Sequence, residues 1–332
     1  MQSFKMPLLA LLISCLLIPA CSSEPSPGAD PASKPEVNIG RLICGGHLSL
    51  AVVEHKQQQL SSLRLKTVQN HDWNDVINDM KSGKLAGTFI LSPLAMQLIR
   101  EGLPAKIVMT ADRNGNGFVL SKKFATISAL KESHSIIAVP HLYSQHHLLL
   151  YLALKQHGVA YSEIKVVGMP PRDMITSLKR GEIDGFVVGE PEGNRAISLG
   201  IGWMASISPQ IWQDHMDHVF LASDSFIREH PDQLQELISA LKKGGEFIET
   251  HPHEAAVMGE AYTGADASLF EQVLTDPPDW IDYSDMIPSD AQLRATADLM
   301  VEMGLWQDLP ADLSNYSDQR FIIRASAGEQ TP

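Results

Sequence analysis

A run of hydrogen-bonding side chains follows the short apolar segment SIIAV, in the order Ser144, Gln145, His146 and His147. Pro140 interrupts strand pairing between the two because it has no N–H to donate, and Ser144 is a residue type that caps helices. A helix that begins here leaves N–H groups unpaired and carries a partial positive charge. The pattern therefore favours a site for a small anion, although any strand-to-helix junction of an α/β domain looks similar.

The segments that precede this run alternate in a way that would position it. The strand patterns VNIGRLI, LRLKTV and GTFIL each lead into a helix pattern, and short loops join them. This order predicts a mostly parallel sheet with helices on both faces. Because ligands of such sheets bind beyond the carboxyl ends of the strands, we expect the loops 44–48, 70–73 and 91–93 to face one crevice.

A glycine-rich break, RNGNG, separates this first series from a second one. The second series contains SIIAV, IKVVG, the helix pattern RDMITSLKRG and DGFVV. MDHVFLA then suits a strand that carries the chain back, and the last hundred residues read mainly as helices. We therefore predict an α/β chain with two βαβ series and a helical C-terminal third.

The overall charge excludes one class of partner. The 332 residues carry a formal net charge of -13, and Lys5 is the only charged residue among the first twenty. An excess of negative charge argues against a nucleic-acid partner. It says little about a site for a small anion, because a few local donors hold such a ligand.

The N-terminal segment reads as an export signal. Residues 1–20 combine Lys5 with an apolar run that is short for a membrane span, and the small residue before Cys21 resembles the lipobox of bacterial lipoproteins. Cys21 is therefore expected to carry lipid and residues 21–36 to form a flexible linker. This places the protein, lipid-anchored, on the periplasmic side of a bacterial cell membrane. Cys44 would have no disulfide partner, and we expect a buried small hydrophobe there.

Several segments resemble, in the same order, parts of the substrate-binding lipoproteins of bacterial ABC importers of the nitrate, bicarbonate, sulfonate and taurine class. The matching stretches are CGGHLSLAVVEHK, WNDVINDMKSGKLAGTFILSPLAMQLI, SQHHLLLYLALKQHGV and GEIDGFVVGEPEGNRA. The resemblance implies a type II-like periplasmic-binding-protein fold, in which two α/β lobes close on a ligand. The expected divisions are a first lobe over 37–114, a second lobe over 115–217, a helix-rich return of the first lobe over 218–325 and a tail over 326–332.

The same resemblance implies a ligand site built from both lobes. Arg113 is added because a guanidinium can hold an oxoanion through two hydrogen bonds. Glu190 would repel an anion, so it should orient a donor, bind an accompanying cation or accept from an amine. The stretch ICGGHL lacks the aromatic residue that nitrate and bicarbonate binders carry after their first glycine, which leaves the ligand open. The expected ligand-binding residues are His47, Trp73, Ser92, Arg113, Ser144, Gln145, His146 and Glu190.

The implied function is capture without catalysis. A small anionic or sulfonate-like solute would be bound by lobe closure, without a cofactor, and passed to an ABC permease with its ATPase. The sequence contains no GxSxG elbow, P-loop or GxGxxG, which argues against common enzyme classes.

Three alternatives remain open. A thiamine- or pyrimidine-precursor binder, or a biosynthetic enzyme, would use the same fold, and a ligand sensor would use the same site for signalling. Thirteen histidines, some of them in pairs, suggest a zinc-binding lipoprotein as the third alternative. Because those pairs lie in separate segments, no metal site is expected.

Overall fold

The computed structural model describes residues 34–328. The predicted signal, the lipidation site at Cys21 and the last residues of the tail lie outside this range. The strands are β1 (Glu36–Arg41), β2 (Arg64–Gln69), β3 (Gly87–Leu91), β4 (Ala105–Thr110), β5 (Arg113–Asn114), β6 (Asn116–Ser121), β7 (Ile136–Val139), β8 (Lys165–Gly168), β9 (Gly185–Gly189), β10 (Gly202–Ile207), β11 (His218–Ser223) and β12 (Ile281–Asp282).

The helices alternate with these strands and then dominate the C-terminal third, as the sequence predicted. They are α1 (Leu48–His55), α2 (Trp73–Lys81), α3 (Ser92–Arg100), α4 (Gln145–Gln156), α5 (Pro171–Arg180), α6 (Glu192–Ser198), α7 (Ser208–Ile211), α8 (Asp224–Glu229), α9 (Pro231–Thr250), α10 (Pro252–Thr263), α11 (Ala267–Thr275), α12 (Asp290–Glu302) and α13 (Arg320–Ser326). Among the described residues, no helix combines the length and apolar character needed to cross a bilayer.

The first sheet has the strand order β2-β1-β3-β11-β4. Strand β1 pairs in parallel with both β2 and β3, whereas β11 runs antiparallel to β3 and β4. Four strands therefore share one direction, and the exception is the predicted return strand. We call this sheet, with the helices packed on it, the first lobe.

The second sheet has the order β10-β6-β9-β7-β8. Strand β7 pairs in parallel with β8 and β9, and β6 runs antiparallel to β9 and β10. In this sheet β6 runs opposite to the other four strands, and β6 is the strand by which the chain enters from the first lobe. We call this sheet and its helices the second lobe. The predicted α/β class with mostly parallel sheets is confirmed.

Two chain crossings join the lobes. The chain passes from β4 to β6 through β5, and it returns from β10 to β11 through the short helix α7. Strand β5 also pairs with β12, so the first crossing is held by the C-terminal third. Helix α9 packs against α1 and α13, and α10 packs against α11, which encloses the first lobe's core.

Candidate functional site

Loops at the carboxyl ends of strands from both lobes line a cleft of about 400 Å³. Strand β1 ends at Arg41, two residues earlier than the sequence pattern indicated, so residues 42–44 belong to the loop. Residues 69–74 begin with the last residue of β2, and residues 168–172 begin with the last residue of β8. Both lobes thus contribute to one opening, which we call the outer cleft. Its lining comprises Leu42, Ile43, Cys44, Gln69, Asn70, His71, Asp72, Trp73, Asn74, Pro140, His141, Gly168, Met169, Pro170, Pro171, Arg172, Glu192, Arg195 and Thr263.

A second, much smaller cavity of about 20 Å³ shares part of this lining, and we call it the inner cavity. A space of this size holds roughly one water or one ion. The expected crevice between the loops after β1, β2 and β3 is therefore present, with a wide outer part and a narrow inner part. The inner cavity is lined by Cys44, Gly45, Gly46, Trp73, Leu91, Pro140, His146, Pro171, Val188, Gly189, Glu192 and His218.

Trp73 lines both spaces from the first lobe. It is the first residue of α2, whose start is fixed by Asp72, since the Asp72 carboxylate accepts hydrogen bonds from the N–H groups of Asn74 and Asp75. The ring is 5% exposed, and its Nε1–H has no hydrogen-bond partner. A buried N–H without a partner is costly, so Trp73 presents an available donor as well as an apolar wall.

The start of α4 forms the opposite wall. Ser144 caps this helix as predicted, since its Oγ accepts from the His147 N–H at 3.1 Å. Ser92 donates from Oγ to the carbonyl of Met216 at 3.1 Å and lies 3.3 Å from Gln145 Oε1, which links the starts of α3 and α4 across the lobes. Ser92 and Ser144 therefore position the helices, and neither lines the inner cavity or the outer cleft.

His146 is the α4 residue that reaches the inner cavity. Burial lowers the pKa of His146 to about 4, so the ring is neutral at physiological pH. Neither ring nitrogen has a hydrogen-bond partner, and the amide Nε2 of neighbouring Gln145 has none either. The start of α4 thus offers buried polar atoms that the protein itself leaves unused.

Four rings surround this region. The His218 ring centroid lies 5.3 Å from that of His47, 6.0 Å from that of Trp73 and 6.5 Å from that of His146. His47 is fully buried in the short 3-10 turn Gly45–His47, and its Nδ1 accepts from the Leu42 N–H at 3.1 Å. Its Nε2 has no hydrogen-bond partner.

Two buried carboxylates lie behind His218. Its Nδ1 is 2.9 Å from Asp217 Oδ2 and 3.7 Å from Asp112 Oδ1. Burial opposes the charge on His218, but Asp217 raises its pKa well above the ordinary value. Burial likewise opposes ionisation of Asp217, but His218 lowers the pKa of that carboxyl. Burial and the neighbouring Asp217 charge raise the pKa of Asp112. The cluster is therefore a buried ion pair with one additional acid.

Glu190 lies beside the site but lines neither the inner cavity nor the outer cleft. Its Oε2 accepts from the Asn194 N–H at 2.9 Å, and Oε1 is so close to Gly117 and Gly193 that a Cβ on either would collide with it. Burial raises the pKa of Glu190 to about 8, so the side chain is mainly neutral at pH 7. The anion repulsion expected from the sequence is thereby relieved.

Arg113 departs from its expected role. The guanidinium is buried and donates to the carbonyls of Asp285, Asp214 and Ile287 and to the Asp285 carboxylate, at 2.7 to 3.2 Å. The bonds to Asp285 and Ile287 connect the first crossing to the segment before α12, and the bond to Asp214 connects it to the segment before β11. With its donors engaged by the protein, Arg113 does not present the two-bond grip on an oxoanion that the sequence suggested.

Cys44, Glu192 and His218 line the inner cavity but were not predicted from the sequence as ligand-binding residues. Cys44 was expected to be an inert hydrophobe because no base could be located near it, yet its Sγ lies 4.0 Å from His218 Nε2. These two residues are 174 positions apart, and only the pairing of β11 beside β3 brings them together. Glu192 lines both the inner cavity and the outer cleft and follows the GEP motif by one residue, which was the available signal.

The fold is a two-lobed α/β architecture with a cleft between the lobes. Residues 30–261 match the model of the NMT1-like family, and the chain belongs to that family. Among curated proteins, it is 27% identical over 213 residues to the nitrate import ATP-binding protein NrtC of Synechocystis, covering 59% of this chain and 32% of that protein. It is 21% identical over 206 residues to the nitrate/nitrite binding protein NrtA of Nostoc, covering 56% and 47%. The matched region therefore spans less than half of either relative.

Solved structures share the fold. The ligand-binding component of an ABC-type import system from Staphylococcus aureus, with zinc bound, aligns with a TM-score of 0.81 at 21% identity, covering 88% of this chain and 99% of that one. The periplasmic nitrate-binding protein NrtA from Synechocystis aligns at 0.81 and 16% identity, covering 90% of both chains. The aliphatic sulphonate binding protein SsuA from Escherichia coli aligns at 0.70 and 16%, covering 86% and 93%.

Proposed function

We propose that this protein is the solute-binding component of an ABC importer and captures a small anionic or sulfonate-like solute in the outer cleft. The observation that carries the proposal is the cleft itself, because loops of both lobes line it. A solute that touches both lobes favours their closed arrangement by its higher affinity for that state. Relatives named for nitrate import and a structural relative named for sulphonate binding support the same class of solute.

The volume of the cleft favours an organic solute over nitrate alone. About 400 Å³ falls within the usual range for small-molecule sites, whereas a three-oxygen anion would leave most of it to water. The inner cavity of about 20 Å³ is too small for a whole oxoanion. We therefore favour a solute with an anionic head group and an organic part, as in an alkanesulfonate.

The charges along the cleft suit such a solute. Arg172 and Arg195 come from the second lobe, and guanidinium groups match the oxygens of a sulfonate. Glu192 lies 3.7 Å from Arg195, and Asp72 lines the first lobe. Paired acids and bases also suit a zwitterion such as an aminosulfonate, and Trp73 offers an apolar face to the organic part.

A thermal-shift screen tests the proposal. Alkanesulfonates, taurine, nitrate, bicarbonate and pyrimidine precursors are added to the purified protein, and a ligand that binds only the native state raises its melting temperature. We expect sulfonates to give the largest increase. Stabilisation by pyrimidine precursors alone would contradict the proposal and favour the thiamine-precursor alternative. To test delivery to a permease, uptake of the same solute is measured in cells that lack this protein. These cells should have lost the uptake.

A further inference from the structure

Three side chains with metal-binding atoms converge at the inner end of the site. Cys44, His47 and His218 offer ligand atoms that all lie within 4.8 Å of one another. Both histidines are fully buried and Cys44 is partly buried. The inner cavity, which has room for one ion, touches Cys44 and His218 directly.

The local backbone is built to bring these groups together. A Cβ on Gly46 would lie 2.2 Å from His218 Nδ1, and one on Gly45 would lie 1.9 Å from the Glu190 carbonyl oxygen. Only glycine at both positions lets the turn approach β11 and the second lobe so closely. The turn thus places Cys44 Sγ 4.0 Å from His218 Nε2 and the His47 ring centroid 5.3 Å from that of His218.

We propose that Cys44, His47 and His218 bind a zinc-type transition-metal ion, with the fourth coordination position open to the inner cavity. Thiolate and imidazole are the ligands that such ions prefer, and bond lengths of about 2.0 to 2.3 Å put neighbouring ligand atoms about 3.3 to 3.6 Å apart. The Cys44 Sγ and His218 Nε2 are 4.0 Å apart and need to approach by only about half an ångström.

Asp217 supports this assignment. A metal-binding histidine commonly has its other ring nitrogen against a carboxylate, which fixes the ring and increases its basicity. The Asp217 carboxylate lies 2.9 Å from His218 Nδ1 and leaves His218 Nε2 facing Cys44.

Binding requires a defined movement of protons. The Cys44 thiol proton and the His218 Nε2 proton leave to solvent, as ligands must lose protons to bind a metal. His47 Nδ1 now accepts from the Leu42 N–H, so the neutral ring carries its proton on Nε2. Metal binding at Nε2 moves that proton to Nδ1, which then no longer accepts from Leu42, so the bond is lost and the two N–H groups must turn away from each other.

Metal titration of the tag-free protein tests the proposal without any solute, so its outcome is separate from that of the proposed function. Zinc is titrated by calorimetry, and cobalt(II) is added as a coloured substitute. We expect one zinc per chain, a cobalt–thiolate charge-transfer band and the intense visible bands of tetrahedral cobalt. Cys44→Ser, which nearly preserves size, should abolish the thiolate band and weaken zinc binding at least tenfold, and His47→Gln should weaken zinc similarly.

His253→Ala is the matched control, because His253 is exposed and pairs with Glu271 far along the chain from the cluster. It should leave both titrations unchanged. Zinc binding that survives Cys44→Ser and His47→Gln but is lost in His253→Ala would overturn the proposal. A cobalt spectrum without the thiolate band in the unaltered protein would overturn it as well. Melting curves of all variants ensure that weaker binding is not caused by unfolding.

Discussion

Glu190 shows how burial changes the chemistry of one residue. A carboxylate beside an anion site would oppose binding, but burial raises the pKa of Glu190 to about 8 and leaves it mainly neutral. The unfolded chain keeps an ordinary pKa near 4.5 for this group. Between these two values the folded protein holds a proton that the unfolded chain has released. Protein stability therefore falls as pH rises from about 4.5 to about 8 because of this residue.

Glu190→Gln is predicted to remove this pH dependence. The amide keeps the shape of the protonated acid, so the variant and the unaltered protein should be similar in stability near pH 5. At pH 8 the variant should be more stable by a few kcal/mol, since each pKa unit corresponds to about 1.4 kcal/mol. Urea unfolding at several pH values measures the difference. A stability difference that stays constant across this range would show that Glu190 is ionised in the folded protein.

Trp73 and His146 are the two predicted ligand residues that line the inner cavity, one from each lobe. Trp73→Ala should weaken solute binding about tenfold to a hundredfold because Trp73 also lines the outer cleft, whereas His146→Ala should have a smaller effect because His146 lines only the inner cavity. Loss of a hydrogen bond to a charged group costs about 1.5 to 3 kcal/mol, and loss of an apolar wall has a comparable effect. Calorimetric titration with the solute found by thermal shift measures both. The control variant His253→Ala should bind the solute with unchanged affinity. If His253→Ala loses affinity while Trp73→Ala keeps it, the site lies elsewhere.

The residues of the site differ in how far sequence could predict them. Trp73 and His146 each follow a strand and open a helix, so a local pattern identifies them. Cys44 and His218 carry no such pattern, because their contact depends on β11 lying next to β3. The orientation of Arg113 was also beyond local reasoning, since its partners come from residues 214 and 285–287.

At the scale of elements, capped helix starts position the site. Asp72 caps α2 and Ser144 caps α4, and each cap fixes the residue that enters the inner cavity. Sequence predicts such caps well because the residue type and the following helix pattern are adjacent. The sequence predicts the pairing of strands less well than it predicts the caps. The antiparallel strand in each sheet follows from the crossings, which involve long-range contacts.

Ser144→Ala tests the role of the cap. Loss of a serine cap should lower the free energy of unfolding by about 1 kcal/mol, and a frayed α4 start should also weaken solute binding severalfold. The matched control is Ser289→Ala, because Ser289 caps α12 with a hydrogen bond from the Gln292 N–H and lines neither the inner cavity nor the outer cleft. The control should lose similar stability in urea unfolding and keep its affinity. Equal losses of affinity in both variants would argue against positioning by the cap.

At the scale of the whole molecule, the glycine-rich break and the return strand made the two-lobed plan predictable. The structure adds the short pair of β5 with β12, which fastens one crossing to the C-terminal third. Closure would therefore bend the chain at only two crossings, with Arg113 holding one of them through its bonds to residues 285 and 287. In the proposed function, the motion would be a hinge between two lobes that each keep their own core.

Attachment to the membrane is a separate prediction for the full chain. If Cys21 carries lipid, Cys21→Ala should move the protein from the membrane fraction to the soluble fraction or leave it unprocessed, because acyl chains supply the anchoring. Fractionation of cells that express either form measures this. A processed Cys21→Ala protein that still sediments with membranes would contradict lipid anchoring.

The central claim is that a solute binds between the lobes, and a crystal structure of the protein with the most stabilising solute tests it most directly. We predict electron density for the solute in the outer cleft, between residues 69–74 of the first lobe and 168–172 of the second, in contact with Trp73. Density only in another depression, such as the one between α1 and α9 near Lys56 and Gly244, would contradict the account.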